Sequence, residues 1–125
     1  MVNVLLVAMG GALGAVMRYA VSGLALRVLG AGLPYGTIAV NLAGSLGAGL
    51  IVGAFGNLSD TPAVRAFLLI GLLGGFTTFS AFSLETVSLF REGETRLAFV
   101  NILLNNVLGI GLAFLGYAIA KMFRG

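Results

Sequence analysis

Gly71-Leu72-Leu73-Gly74-Gly75-Phe76-Thr77-Thr78-Phe79-Ser80-Ala81-Phe82-Ser83 lies in the middle of an uncharged run from Ala66 to Leu84. The run is long enough to cross a bilayer, yet its centre is poor helix. Gly74-Gly75 costs backbone entropy, and Thr77-Thr78 adds β-branching and hydroxyls that compete for backbone partners. In hydrocarbon, a freed carbonyl or N–H is tolerated only where protein covers it or where it lines a cavity or holds an ion. The stretch therefore predicts a membrane helix broken at its centre, with an ion site at the break.

The rest of the chain fits that setting. Of 125 residues, 59% are hydrophobic and only 9% charged, with a mean hydropathy of +1.11, whereas a soluble domain carries about 25% charged residues. Further uncharged runs occupy Met1 to Met17, Gly36 to Phe55 and Leu97 to Ala120, each close to the roughly 17–25 residues that span a bilayer. The expectation is an all-α membrane protein: one four-helix transmembrane domain over residues 1–125, with spans near 2–29, 35–55, 63–90 and 96–122. The first run lacks the basic leader of a signal peptide and reads as a retained helix. With no cysteine and no histidine, thiolate chemistry, imidazole acid–base work and the commonest metal sites are excluded. No paired acids remain to carry an enzyme reaction.

The net charge of +3 is too weak for a nucleic-acid footprint, and its placement is more informative. Four spans put both termini on one side, with Arg65, Lys121 and Arg124; the other side holds Arg27, Arg91 and Arg96. Orientation normally follows an excess of Lys and Arg in cytoplasmic loops. The balance permits insertion both ways up and an antiparallel dual-topology homodimer, which would build an inverted repeat from separate subunits. The alternative is a single orientation set by the amino terminus or by lipid effects.

Several residues stand out against the apolar background. Gly10 and Gly14 form a small-xxx-small pair suited to close helix approach. Arg18 either snorkels to the headgroups or lines a water-filled vestibule that attracts anions, and the lack of an acid one turn away favours the vestibule. Asn41 reads as interhelical glue or as a neutral donor to an anion. The polar turn from Gly56 to Pro62 includes Asn57, Ser59 and Asp60. Phe79 and Phe82 share a helix face; they are core aromatics, or they present partly positive ring edges to an anion beside hydroxyl donors. Glu85 pairs across a dimer, bonds within a vestibule, or is solvated at the interface. Asn101, Asn105 and Gly109, at i, i+4 and i+8, form a polar-to-small stripe for a pore wall or a dimer seam.

Gly71-x-x-Gly74-Gly75-Phe76-Thr77-Thr78-Phe79-Ser80-x-Phe82-Ser83-x-Glu85-Thr86, Gly10-Gly11-x-x-Gly14-Ala15-x-x-Arg18-Tyr19 and Pro34-Tyr35-Gly36-Thr37-x-x-x-Asn41-x-x-Gly44 occur together in one short chain. On these motifs the chain resembles the Fluc (CrcB) family of fluoride channels. The resemblance implies an antiparallel homodimer with two fluoride pores in the plasma membrane, the inner membrane of a bacterium. It also implies a central structural sodium ion held by backbone carbonyls, here those of Gly74 and Thr77. It assigns Phe79 and Phe82 to aromatic boxes, Asn41 to a pore donor, Arg18 to the vestibule, and Thr78 and Ser80 to hydroxyl contacts. Asn101 and Asn105 depart in residue type from the family's tyrosine or serine in the fourth-helix polar track, and Phe76 places a third aromatic near the box. The rival readings are a small dual-topology multidrug transporter and a non-conducting structural membrane subunit. The first rival calls for a carboxylate deep in the first helix, and no acid precedes Asp60.

Overall fold

The computed structural model describes residues 2–57 and 60–124. Among them every regular element is helical. Helix α1 spans Val2–Leu29 and α2 spans Tyr35–Phe55. The third span, Pro62–Arg91, divides into α3 (residues 62–76) and α4 (Phe79–Arg91), and α5 covers Thr95–Arg124. All four spans are long and apolar enough to cross a bilayer, and the chain is a multi-pass membrane protein. Of the polar turn between α2 and α3, Ser59 lies outside the described residues.

Membrane helices gain little from the hydrophobic effect on packing together, because lipid tails are as apolar as leucine. Close approach through small residues takes its place, and the helices here pair along two glycine seams. In the first, Gly10 and Gly14 of α1 lie against Phe67, Leu72 and Phe76 of α3, while Gly71 and Gly75 of α3 return the contact to Val7 and Gly11. Residue numbers rise together along both helices, so α1 and α3 run parallel. In the second, Gly49 and Gly53 of α2 meet Ala113 and Tyr117 of α5, and Gly116 of α5 meets Leu46 and Leu50; these two helices are likewise parallel. The largest helix interfaces of the chain are these two.

Two stretches widen to π-helical winding, Arg65–Leu73 in α3 and Leu104–Leu108 in α5. Such turns shift backbone bonding from the fourth to the fifth preceding carbonyl and recur at functional sites. No residue pattern marks them in the sequence.

The interruption of the third span falls later than the glycine pair suggests. Gly74 is helical, at φ −62° and ψ −38°, and Gly74–Phe76 continues α3. The extended residues are Thr77 (φ −84°, ψ 159°) and Thr78 (φ −151°, ψ 113°). β-branched side chains favour that region, whereas Gly75 is spent on packing: a Cβ there would stand 2.6 Å from the Gly11 carbonyl oxygen. At Gly74 the nearest atom to an added Cβ is the Leu69 oxygen at 3.6 Å, an ordinary contact.

The two adjacent glycines should therefore respond in opposite directions to the same methyl group. Gly75→Ala is expected to lose about 1–3 kcal/mol through overpacking against backbone. Gly74→Ala should be neutral or gain up to about 1 kcal/mol from helix propensity. Thermal unfolding of both variants in detergent checks the ordering.

Candidate functional site

The break is held by one side chain from another helix. Asn41 of α2 accepts from the Thr78 N–H through Oδ1 (2.8 Å) and donates from Nδ2 to the Thr78 carbonyl (3.1 Å). An amide is the side-chain group that can pair with a backbone N–H and C=O at once, and here it replaces the helix bonds that the extended residues forgo. Gly44, one turn further along α2, leaves room for the Thr77 methyl group, which a Cβ at that position would overlap. Thr77 folds its hydroxyl back to the Leu73 carbonyl (2.9 Å). Thr78 then starts α4 as its N-cap, its Oγ1 accepting from the Ala81 N–H (3.1 Å).

These bonds have a consequence for two carbonyls. In an unbroken helix, Gly74 C=O would take the Thr78 N–H and Thr77 C=O the Ala81 N–H. Asn41 Oδ1 holds the first donor and Thr78 Oγ1 the second. Both carbonyls thus lose their ordinary partners at the centre of the third span. Gly74 is exposed, and both residues line an open groove of about 370 Å³ together with Asn41, Thr78, Phe79, Phe82, Asn105 and Asn106.

Phe79 and Phe82 stand together there, ring centroids 5.5 Å apart and tilted by 57°. Phe82 is buried, at 8% exposure, while Phe79 is 75% exposed on the groove side. Ser80 is also exposed, with its Oγ 3.4 Å from Thr78 Oγ1. Phe76 does not join them: it is buried, with its ring close to Gly44, and is absent from the groove lining.

The asparagines of α5 form a ladder directed into the chain's own core. Asn105 Oδ1 accepts the remaining Asn41 N–H (2.8 Å), and Asn105 Nδ2 donates to Asn101 Oδ1 and to the Asn101 carbonyl (2.9 Å each). Asn101 is fully buried and donates to Thr86 Oγ1 (3.0 Å), whose hydroxyl donates to the Phe82 carbonyl (2.8 Å). The expected stripe of Asn101, Asn105 and Gly109 is present, but it faces α2 and α4 of the same chain, with Gly109 opposite Ser45 and Leu42. Asn105 and Asn106 lie in the widened turn, and their amides bond the carbonyls four residues back, Asn101 and Ile102. Asn41 has both its N–H groups committed, so the groove's available donors are the hydroxyls of Ser45, Thr78 and Ser80 and the second Asn106 N–H, beside the ring edges.

Arg18 lies well inside α1, which continues to Leu29, and this placement differs from a helix-end position at the headgroups. Its Nε donates to the Gly75 carbonyl (3.2 Å), part-buried beside the break. Glu85, two turns into α4, has its Oε1 buried without a hydrogen-bond partner. It borders a second groove of about 350 Å³ with Ser22, Tyr35, Ser88 and Glu92.

Together these features define a class: a small four-span membrane protein whose third helix is broken over an open polar and aromatic groove, with backbone carbonyls released at the break. Residues 5–117 match the family described as CrcB-like protein, Camphor Resistance (CrcB), and the chain belongs to that family. It is 49% identical over 115 residues to a protein of Shewanella amazonensis, covering 91% of this chain and 92% of the relative. It is 46% identical over 115 residues to one of Shewanella halifaxensis, with the same shares covered. To one of Agrobacterium fabrum it is 45% identical over 122 residues, covering 97% and 98%. Each of these relatives is named fluoride-specific ion channel FluC.

Asn41 Oδ1 is the partner of the Thr78 N–H, whereas the Thr78 carbonyl also accepts the first intrahelical bond of α4, as an N-cap does. Asn41→Leu should therefore leave one backbone N–H unpaired and cost about 1–3 kcal/mol. Asn106→Leu removes only an exposed bond within its own helix and should stay within about 0.5 kcal/mol. Unfolding in mixed detergent and denaturant separates the two, and equal effects would show that Asn41 does not hold the break.

Proposed function

We propose that the chain is a fluoride-selective passive channel that lets fluoride leave the cytoplasm across the plasma membrane. The observation that carries this reading is the groove at the break, where paired phenylalanine rings and hydroxyl donors converge without a carboxylate. Ring edges and neutral donors attract an anion weakly enough to release it, as conduction requires. Arg18 adds a positive charge beside the path: its Nε is engaged, while no protein partner of its terminal nitrogens occurs among the described residues. The names of the relatives supply the ion; they are names of channels, not of enzymes.

Passive flow suffices for export. Hydrogen fluoride crosses membranes as the neutral acid and dissociates in a more alkaline cytoplasm, which traps the anion. A negative-inside potential drives a monovalent anion outward by about 2.3 kcal/mol per 100 mV. A proton-coupled multidrug carrier would need a membrane carboxylate in the first helix, where the chain has none and carries Arg18 instead.

The groove is open to its surroundings, which leaves room for a second copy of the chain. An antiparallel homodimer, permitted by the balanced charges, would complete two pores and bring two pairs of released carbonyls, Gly74 and Thr77, to one axis. Carbonyl oxygens are hard ligands suited to an alkali or alkaline-earth cation, and a structural sodium ion fits that donor set. When bound, it would offset the partial negative charge of oxygens that the break has left without N–H partners.

Liposomes loaded with fluoride or chloride, under a potassium gradient set by valinomycin, give the test. Fast fluoride loss with negligible chloride loss is expected, and no fluoride loss from a folded preparation would overturn the proposal. Phe79→Ile and Phe82→Ile should each slow fluoride efflux by roughly tenfold, since aromatic interactions of about 0.5–1.5 kcal/mol are lost while apolar volume is largely kept. Unchanged rates in both would remove the rings from the pathway.

A further inference from the structure

At the face that carries both chain termini, α1 and α3 diverge around an open groove of about 500 Å³. The parallel course of the two helices orders its lining by depth. Asn3 and Arg65 lie in the first turns, and Val7 and Ile70 lie further along both helices with Val4 and Ala66 between. Val4 is 67% exposed and Ile70 51% exposed. In a membrane-spanning chain such walls meet hydrocarbon, while the outer end lies at the level of the headgroups.

That outer end calls for an anion. Arg65 is exposed and has no ion-pair partner among the described residues. It also sits near the start of α3, where the helix dipole is already positive and a cation is unfavourable unless an anion compensates it. Thr61, the residue that would cap this helix, makes no side-chain bond to the first turn, and its buried hydroxyl has no partner. The Arg65 N–H is bonded to the Thr61 carbonyl (3.1 Å) and Thr61 does not line the groove, so the acceptor wanted at the groove's head is one for the guanidinium.

We propose that this groove binds an anionic phospholipid, with the phosphodiester held at Arg65 and Asn3 and one acyl chain lying along Val4, Val7 and Ile70. A soluble phosphate would use the polar end alone. A zwitterionic lipid would carry its own compensating cation next to the guanidinium, so the site should prefer a headgroup with net negative charge.

The chain has no tryptophan, so Val4→Trp places a single fluorescent reporter in the groove. The variant is reconstituted at fixed mole fractions of phosphatidylglycerol or phosphatidylcholine with brominated chains, and quenching gives the relative association of each lipid. A preference of about fivefold for the anionic lipid is expected, the scale of one arginine at an anionic surface. Arg65→Gln in the same background should bring the ratio to about one, and Arg65→Lys, which keeps the charge, should retain most of it. Inorganic phosphate at millimolar concentration should leave the preference intact. Equal quenching by the two lipids, an unchanged ratio in Arg65→Gln, or loss of the preference on adding phosphate would each overturn the proposal.

Discussion

The bilayer interior supplies no water to a broken helix, and the structure is built around meeting that demand. Extending Thr77 and Thr78 removes helix bonds at a depth where each unpaired group costs several kcal/mol. Asn41 supplies an acceptor and a donor to Thr78 from a neighbouring helix, and Thr78 caps the segment that follows with its own hydroxyl. The Thr77, Thr78 and Ala81 N–H groups are satisfied within the chain, while the Gly74 and Thr77 carbonyls lose their helix partners. This asymmetry gives the break a chemical character: it presents oxygen acceptors, the groups that hold a hard cation.

Holding Asn41 in place is itself a packing problem, and the glycine seams solve it. α1 with α3 and α2 with α5 form two parallel pairs whose backbones touch through Gly10, Gly14, Gly71 and Gly75 on one side and Gly49, Gly53 and Gly116 on the other. Gly44 seats Thr77 against α2, so the amide and the break are registered by the same helix. The ladder from Asn41 through Asn105, Asn101 and Thr86 then ties that register to the Phe82 carbonyl. The position of the aromatic pair thus follows from α2 and α5 as well as from α4, which carries it.

Four helices and an interruption in the third were legible from the sequence because run length, charge scarcity and the conjunction of glycine with β-branched residues report directly on bilayer crossing and helix propensity. Propensity alone misplaced the interruption. Gly74 and Gly75 are the weaker helix formers, yet lateral packing against Gly11 kept them helical and passed the extended conformation to the threonines. The stripe of Asn101 and Asn105 was equally legible as a periodicity, but periodicity does not say what the stripe faces. Its direction depends on Thr86 and Asn41, distant in sequence. The π-helical turns left no trace, since they arise from backbone bonding that many residue types accept.

That the ladder is built of amides rather than hydroxyls bears on what it can do beside an anion path. A hydroxyl can turn its single proton toward a passing ion and away again, whereas an amide in a ladder is held by its neighbours at its oxygen and its nitrogen together. Asn101 donates to Thr86 and accepts from Asn105, and Asn105 accepts from Asn41 in turn, so turning one amide out would unpair the next. Three coupled amides make a stiff wall, and stiffness favours a fixed distance between the groove and the rings. The mobile donors are then the hydroxyls at the groove surface, Thr78 and Ser80 among them, next to the exposed ring of Phe79. An anion meeting that surface finds adjustable hydroxyls backed by a rigid frame, a division of labour that neutral side chains achieve without placing a carboxylate in the groove.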